Sequence, residues 1–529
     1  MQIICPKIYL LFEGDIVKYI HDYRQFNKEK NMKTWITHGF DKIVADMPAP
    51  EVLKKEFSLS LTNGGEGGCQ IAVRSETDGK IKLKTKFCEG VSVKLYSEHL
   101  THDIKGHKHT DCIVPYEGEL LDVKGGISLP FYIDFKAENI GDHTAVFELL
   151  DGDGKVIDTF TVAIHVWSFS LPENKTFATA VWTAERYITK FDTEMKGDIC
   201  DNYKEYYDLL LEHGLSSYNL PYDVLDPRAD EYMSDPRVTS FAIGIWALDN
   251  LTDEELKEYY DKLKSNPVWL DKAMVYPLDE PREPHHLVKY REACERFIRI
   301  CPEMSRVSPF YTNLQVGEGR DQVDEMAPTT NHWCPKLCLW DDSQSYDAFL
   351  DYKPEKSFWA RMDELKAKGD KMWCYVCNDP ITPYAQLFID TPGNMQKAMF
   401  WQMYQRDIDG FLYWGTNYWG YWAGDVDPWE NVCNGVGDGQ GNPVYGEGFL
   451  LYPGTKIGKP GPLATTRLKT IRDAVNDIEL FNLAGKYLGR EWVKERINKA
   501  TPSLTEYASD DVMAEVRAEI GNALEKAMK

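Results

Sequence analysis

From about Thr176 to Leu488 the chain alternates apolar, strand-sized runs with amphipathic helical stretches, and that rhythm most constrains the fold. The runs are "FATAVW" (177–182), "LSSYNL" (215–220), "VTSFAI" (238–243), "AMVYPL" (273–278), "RVSPFY" (306–311), "TNHWCP" (330–335), "MWCYVC" (372–377) and "GFLYWG" (410–415). Between most of them lie helical candidates such as "DNYKEYYDLLLEHG", "TDEELKEYYDKLKS", "EPHHLVKYREACERFIRI", "SFWARMDELKAKG" and "NMQKAMFWQMYQRD". Several carry apolar residues at i, i+3 and i+4, the stripe that a helix buries. Eight such units predict a (β/α)8 barrel over 171–488, closed by "PLATTRLKTIRDAVNDIELFNLAGKYL". Residues 183–200 and 416–465 are long excursions after runs one and eight, on the side where barrels keep their sites.

The barrel does not account for the whole chain. At 529 residues the chain is too long for one core. Short alternating runs such as "KIKLKTKF", "ISLPFYIDF" and "VIDTFTVAIHVWSF", separated by turns such as "DGDGK", predict a β-sandwich over 41–170. "SLPENK" reads as the linker. Residues 1–40 fit less well, and "IVKYIHDYRQFNKEKNMK" reads as a helix or an added arm. Residues 489–529 read as a polar-surfaced helical tail. The expected class is thus multidomain α/β plus all-β.

Net charge is −24, which opposes binding to nucleic acid or an anionic membrane. No apolar run approaches the ~20 residues of a membrane span. The start, "MQIICPKIYLLFEGD", lacks a basic region and a small-residue cleavage site, so the expectation is a cytoplasmic protein. A removed signal peptide would leave the same picture. Of the twelve cysteines, two close pairs, "CPKLC" and "CYVC", raise the question of zinc. Cys374 and Cys377 sit at i and i+3 of a strand-like run and point to opposite faces, so no metal is expected.

Run four ends in "AMVYPLDEPREPHH", where an apolar strand gives way to adjacent carboxylates, Asp279 and Glu280. In a barrel these fall at a strand's carboxyl end, where catalytic groups sit. The bland alternative is that Asp279 caps the helix beginning near Pro284, with Glu283 in its first turn. Other run ends supply aromatics and amides: Trp182, Asn313, Trp333, Tyr375, Asn378, Trp414, Asn417 and Trp419. Each aromatic alone is as well explained by core packing. Together they predict a polar, stacking-competent cup suited to a neutral sugar. The expected partner is therefore a glycan.

Two glycosidase schemes remain open. Neighbouring acids do not usually flank a glycosidic bond on both faces, but they suit substrate assistance. In that scheme Glu280 is the acid and base, and Asp279 holds a 2-acetamido group whose oxygen attacks C1. Tyr375 is a candidate donor to that oxygen and Trp414 a candidate wall for its methyl group. The other scheme needs a second carboxylate across the cleft, for which Asp379, Asp425 and Asp427 are candidates. A non-catalytic sugar binder is the third reading, and two adjacent acids argue against it.

"YPLDEP", "FLYWGTNYW", "DPW", "GEGFLLYPG" and "TTRLKTIRDAVNDIEL" together resemble glycoside hydrolase family 123 and its related catalytic domains. "GGISLPFYIDF…VIDTFTVAIHVWSFSLP" resembles the β-sandwich that precedes the barrel in that family. The resemblance covers most of residues 40–485. It implies β-N-acetylgalactosaminidase activity by substrate-assisted retention, with Asp279 orienting the acetamide, Glu280 as acid/base, and no metal or cofactor.

Overall fold

The computed structural model describes residues 32–192, 199–243, 251–317, 319–341, 356–421, 424–438, 440–459 and 461–529. Most of the expected N-terminal arm, residues 1–31, lies outside them, as does part of the excursion over 183–200.

Ten strands form the N-terminal unit: β1 (Met32–His38), β2 (Glu56–Leu61), β3 (Glu66–Ser75), β4 (Gly79–Cys88), β5 (Val91–His102), β6 (Lys108–Pro115), β7 (Leu121–Val123), β8 (Ser128–Ala137), β9 (Gly141–Asp151) and β10 (Val156–Val166). They make two five-stranded sheets, ordered β1-β3-β8-β5-β6 and β2-β10-β9-β4-β7. All pairings are antiparallel except β2 with β10. Ile71, Ile133 and Phe131 from one sheet meet Leu83, Phe147 and Ile164 from the other in one buried cluster. That is the predicted alternation at work: every second side chain faces the partner sheet. The unit begins earlier than residue 41, because β1 pairs with β3 from Met32↔Ser75 to His38↔Cys69.

The second unit is a nearly closed parallel sheet: β11 (Ala178–Val181), β12 (Phe241–Ala242), β13 (Ala273–Val275), β14 (Ser305–Phe310), β17 (His332–Pro335), β18 (Lys371–Val376) and β19 (Gly410–Tyr413). A small hairpin, β15 (Gln315–Gly317) and β16 (Arg320–Asp321), lies between β14 and β17. Neighbours run β11-β19-β18-β17-β14-β13-β12, seven strands rather than the eight expected. The missing member is "LSSYNL". Ser216 O accepts from Val181 N at 2.9 Å, Tyr218 N donates to Val181 O at 3.0 Å, and Tyr218 O accepts from Ala242 N at 2.8 Å. The segment thus spans the gap between β11 and β12 without making a strand. Hydroxyls replace ladder partners there: Ser216 N donates to Thr179 Oγ1 at 2.9 Å, and Thr239 N donates to Ser216 Oγ at 2.8 Å.

The helices fall where the sequence put them, among them Asp253–Lys264, Pro284–Ile300, Phe358–Ala367 and Gly393–Gln405. Thr252 and Glu255 form a reciprocal capping box that fixes the start of the first.

The two units share a core rather than touching through a linker. Cys112, Tyr132, Trp167 and Phe169 of the sandwich belong to the same buried cluster as the barrel helices. The helix Thr466–Leu488 carries the charged part of the joint. Arg467 meets Asp111, and Lys469 and Arg472 meet Asp134, all buried. The tail is structural too. Its helix Asp510–Ala527 brings Arg517 to Asp477 and Ser60 O, and Asn522 Oδ1 accepts from Trp167 Nε1 at 2.8 Å.

Candidate active site

β13 delivers Asp279 and Glu280 to the carboxyl end of the sheet. Asp279 does not cap the following helix. Glu283 occupies that position, with no side-chain capping bond, and Pro284 starts the helix. Instead Asp279 Oδ1 accepts from Tyr276 Oη at 2.8 Å. Glu280 has φ of 42°, a left-handed conformation uncommon outside glycine. Such strain, of order 1–3 kcal/mol, persists only where surroundings enforce it. Here Gln322 Nε2 holds Pro281 O at 2.7 Å, and Tyr375 Oη donates to Glu280 Oε1.

The two acids touch solvent, Asp279 more than Glu280, yet protein crowds them on most sides. Both statements hold for groups lining a concave site. Burial raises the Asp279 carboxyl above its ordinary value, against the Tyr276 hydrogen bond. Burial, then the Asp279 charge, raises Glu280, against Lys336 and the Tyr375 hydroxyl. A buried acid with a raised pKa holds its proton toward neutrality, as a general acid must.

Of the side chains expected to form the cup, Tyr375 reaches Glu280 directly, and Trp182, Asn378 and Trp414 are half-buried. Trp182, Tyr276, Tyr375 and Cys377 cap the inner barrel cluster. Trp182 tilts against Tyr418 at 5.1 Å, and Tyr418 meets Trp414 edge-on at 4.9 Å. Asn378 is half-buried, its Nδ2 donating to Gly437 O.

The other four are corrections. Asn313 is buried and donates to Asp321 Oδ2 at 3.0 Å. Trp333 points away from the barrel axis, into the layer with Phe310, its Nε1 bound to Asp370 Oδ2 at 2.9 Å. Asn417 clamps Ala184, accepting from its N at 2.7 Å and donating to its O at 3.1 Å. Trp419 is buried between Phe191 and Tyr206 and donates to Leu451 O at 3.0 Å. Side chains alternate along a strand, and a single apolar run does not reveal which parity faces the axis.

The candidate second carboxylates are each matched to a lysine: Asp379 to Lys336, Asp425 to Lys190, and Asp427 to Lys456. Among the described residues no group of three or more His, Cys, Asp or Glu is placed to hold a metal, and no helix is long and apolar enough to cross a membrane. A cavity of about 1160 Å³ lies between sandwich and barrel, and neither acid lines it.

The family model for the catalytic domain of glycoside hydrolase 123 matches residues 229–484, the span that holds both acids. The chain carries a family 123 glycoside hydrolase catalytic domain. It is thereby a glycosidase. A family 123 glycoside hydrolase from Clostridium perfringens, solved in a study of glycolipid glycan hydrolysis, superimposes with a TM-score of 0.65 at 12% identity. That match covers 94% of this chain and 98% of the other, so the sandwich-and-barrel fold is shared nearly end to end. A putative beta-galactosidase from Bacteroides fragilis matches at 12% identity over 72% of this chain and 54% of its own, but its TM-score of 0.23 supports no argument. No curated protein matches the chain.

Three residues of the glycosidase escaped the sequence reading. Lys336 is buried, pairs with Asp379, lies 4.5 Å from the Tyr311 ring centre and acts by its charge on Glu280. It sits inside "CPKLC", where the cysteines drew attention, although a charge directly after a buried strand was the available signal. Tyr276, three residues before Asp279, was read only as part of the strand. Glu447, within "GEGFLLYPG", is fully buried and accepts from Trp414 Nε1 and from Tyr413 Oη. Its flanking Gly446 and Gly448 have φ of 78° and 72°, which marks a tight turn, but nothing in the sequence tells that the turn faces Trp414.

Proposed function

We propose that the enzyme is a retaining exo-β-N-acetylgalactosaminidase that uses the substrate's own acetamide as nucleophile. The observation that carries the reading is the adjacency of Asp279 and Glu280 at one strand end, each with its own tyrosine partner. Acids so placed act from one side of a sugar rather than across it.

In the first step Glu280 gives its proton to the glycosidic oxygen. The acetamido oxygen bonds to C1 as the C1–aglycone bond breaks. Asp279 accepts the amide N–H and steadies the positive oxazolinium ring. In the second step the Glu280 carboxylate takes a proton from water, whose oxygen bonds to C1 and reopens the ring. Two inversions leave the β configuration. The carboxylates that would serve a conventional double displacement are bound to lysines, which favours substrate assistance. Glycolipid glycans, the concern of the Clostridium perfringens study, are the substrate source we carry over.

The test is hydrolysis of 4-nitrophenyl N-acetyl-β-galactosaminide beside a glycoside lacking the acetamido group. The former is cleaved and the latter is not. Glu280→Gln and Asp279→Asn each lower kcat about 10²–10⁴-fold. An acetamide-derived thiazoline inhibits. Unchanged turnover by Glu280→Gln, or equal rates on the two glycosides, would sink the proposal.

A further inference from the structure

We infer that Glu447 is a positioning residue of the glycosidase, holding the Trp414 indole at the rim of the sugar cup; this rests on the cup being the sugar site. Glu447 has no exposed surface, so it does not touch substrate. Its carboxylate reaches outward through two donors: Oε1 takes the Trp414 indole N–H, and Oε2 takes the Tyr413 hydroxyl at 3.1 Å. Tyr413 Oη in turn accepts from Gly448 N at 2.9 Å, which closes a ring of contacts around the turn. The residue's own carbonyl accepts from Asn434 Nδ2 at 2.8 Å.

The turn itself is fixed from below. Arg467 donates to Gly446 O and Leu387 O, each at 2.7 Å, and to Phe449 O, while Asp111 of the sandwich grips the same guanidinium. The two glycines are needed for contact as well as conformation. A Cβ on Gly448 would lie 3.1 Å from the Trp414 ring, and one on Gly446 would lie 2.6 Å from Ile389. A buried carboxylate is costly, and burial pushes Glu447 up to about 7 against the Trp414 and Tyr413 hydrogen bonds. A core that needed only volume there would be better served by an apolar side chain. The carboxylate's two acceptors match two ring donors, the half-buried Trp414 indole and the buried Tyr413 hydroxyl behind it.

The test compares Glu447→Ala, Glu447→Gln and Trp414→Phe on 4-nitrophenyl N-acetyl-β-galactosaminide. Loss of the anchoring hydrogen bond raises KM about tenfold in Glu447→Ala, with kcat changed less than about threefold. Glu447→Gln keeps an acceptor oxygen and brings KM back within about threefold of the parent. Trp414→Phe, which keeps an aromatic ring but lacks the donor, raises KM by a similar factor, and adding Glu447→Ala to it raises KM no further. The second readout needs no substrate. In 5-fluorotryptophan-labelled protein, the ¹⁹F resonance assigned by Trp414→Phe shifts or broadens in Glu447→Ala and stays near its place in Glu447→Gln. An unmoved resonance, or additive KM effects, overturns the inference. A parent enzyme inert on the glycoside refutes the proposed substrate instead, and the fluorine resonance then decides the role of Glu447. If Glu447→Ala does not fold, Trp414→Phe and Glu447→Gln still decide: an unchanged KM in the former overturns the inference.

Discussion

Asp111→Ala tests whether the sandwich is bound into the barrel by charge. The carboxylate meets Arg467 Nε at 2.7 Å and Nη2 at 2.8 Å, and both side chains are fully buried. Tyr452 Oη donates a third bond at 2.9 Å. Removing the acid leaves a guanidinium without its counter-charge, which costs about 3–5 kcal/mol in buried pairs. The midpoint of urea unfolding, followed by tryptophan fluorescence and circular dichroism, should fall accordingly. Asp111→Ala with Arg467→Met should recover only part of the loss. The methionine relieves the stranded charge, but the carbonyls of Leu387, Gly446 and Phe449 then lose their donor. The pH dependence carries the same sign. Burial alone would raise the Asp111 carboxyl, but the Arg467 charge and hydrogen bonds outweigh it, and the net shift is downward. A lowered carboxylate contributes stability above its unfolded value of about 3.9, and that contribution is lost as pH falls through the folded value. In Asp111→Ala this part of the acid sensitivity should vanish. An unchanged urea midpoint, or an acid transition identical to the parent's, would refute the reasoning.

Tyr375→Phe removes the hydrogen bond that favours ionised Glu280, so Glu280 rises further and the alkaline limb of kcat/KM moves to higher pH; a pH–rate profile checks it. Lys336→Met moves that limb the same way, because the cation that lowers Glu280 is gone and Asp379 loses its partner. Asn417→Ala should cost about 1–3 kcal/mol of stability, since the Ala184 backbone groups lose their partners, while KM measured below the unfolding range stays put. Gly521→Ala should lower the thermal midpoint through about 1–3 kcal/mol of overpacking, because its Cβ would lie 2.1 Å from Trp167 on the joint between tail and sandwich.

The acid pair was legible because a strand's carboxyl end is marked in one dimension, by an apolar run that stops at charges. "AMVYPLDEP" carries that signal whole, and β13 ends within it. Which aromatics face the barrel interior was only partly legible. Trp182 and Tyr375 line the inner barrel, whereas Trp333 and Trp419 lie in packed protein. An indole in a core and an indole on a sugar present the same letters, and only the sheet's facing separates them.

Local periodicity by itself determined the order of sandwich, barrel and helical tail, because burial on one face imposes a period of 2 or about 3.6 on the residues themselves. "LSSYNL" shows the limit: its apolar run promised a strand, but the Thr179 hydroxyl took the Ser216 N–H and the Ser216 hydroxyl took the Thr239 N–H. Tertiary structure alone decided what meets across long stretches of chain. It set Asp111 beside Arg467, Lys336 within charge range of Glu280, and Glu447 behind Trp414. Such pairings follow from how the sheets twist and close, and no short stretch of sequence encodes that closure.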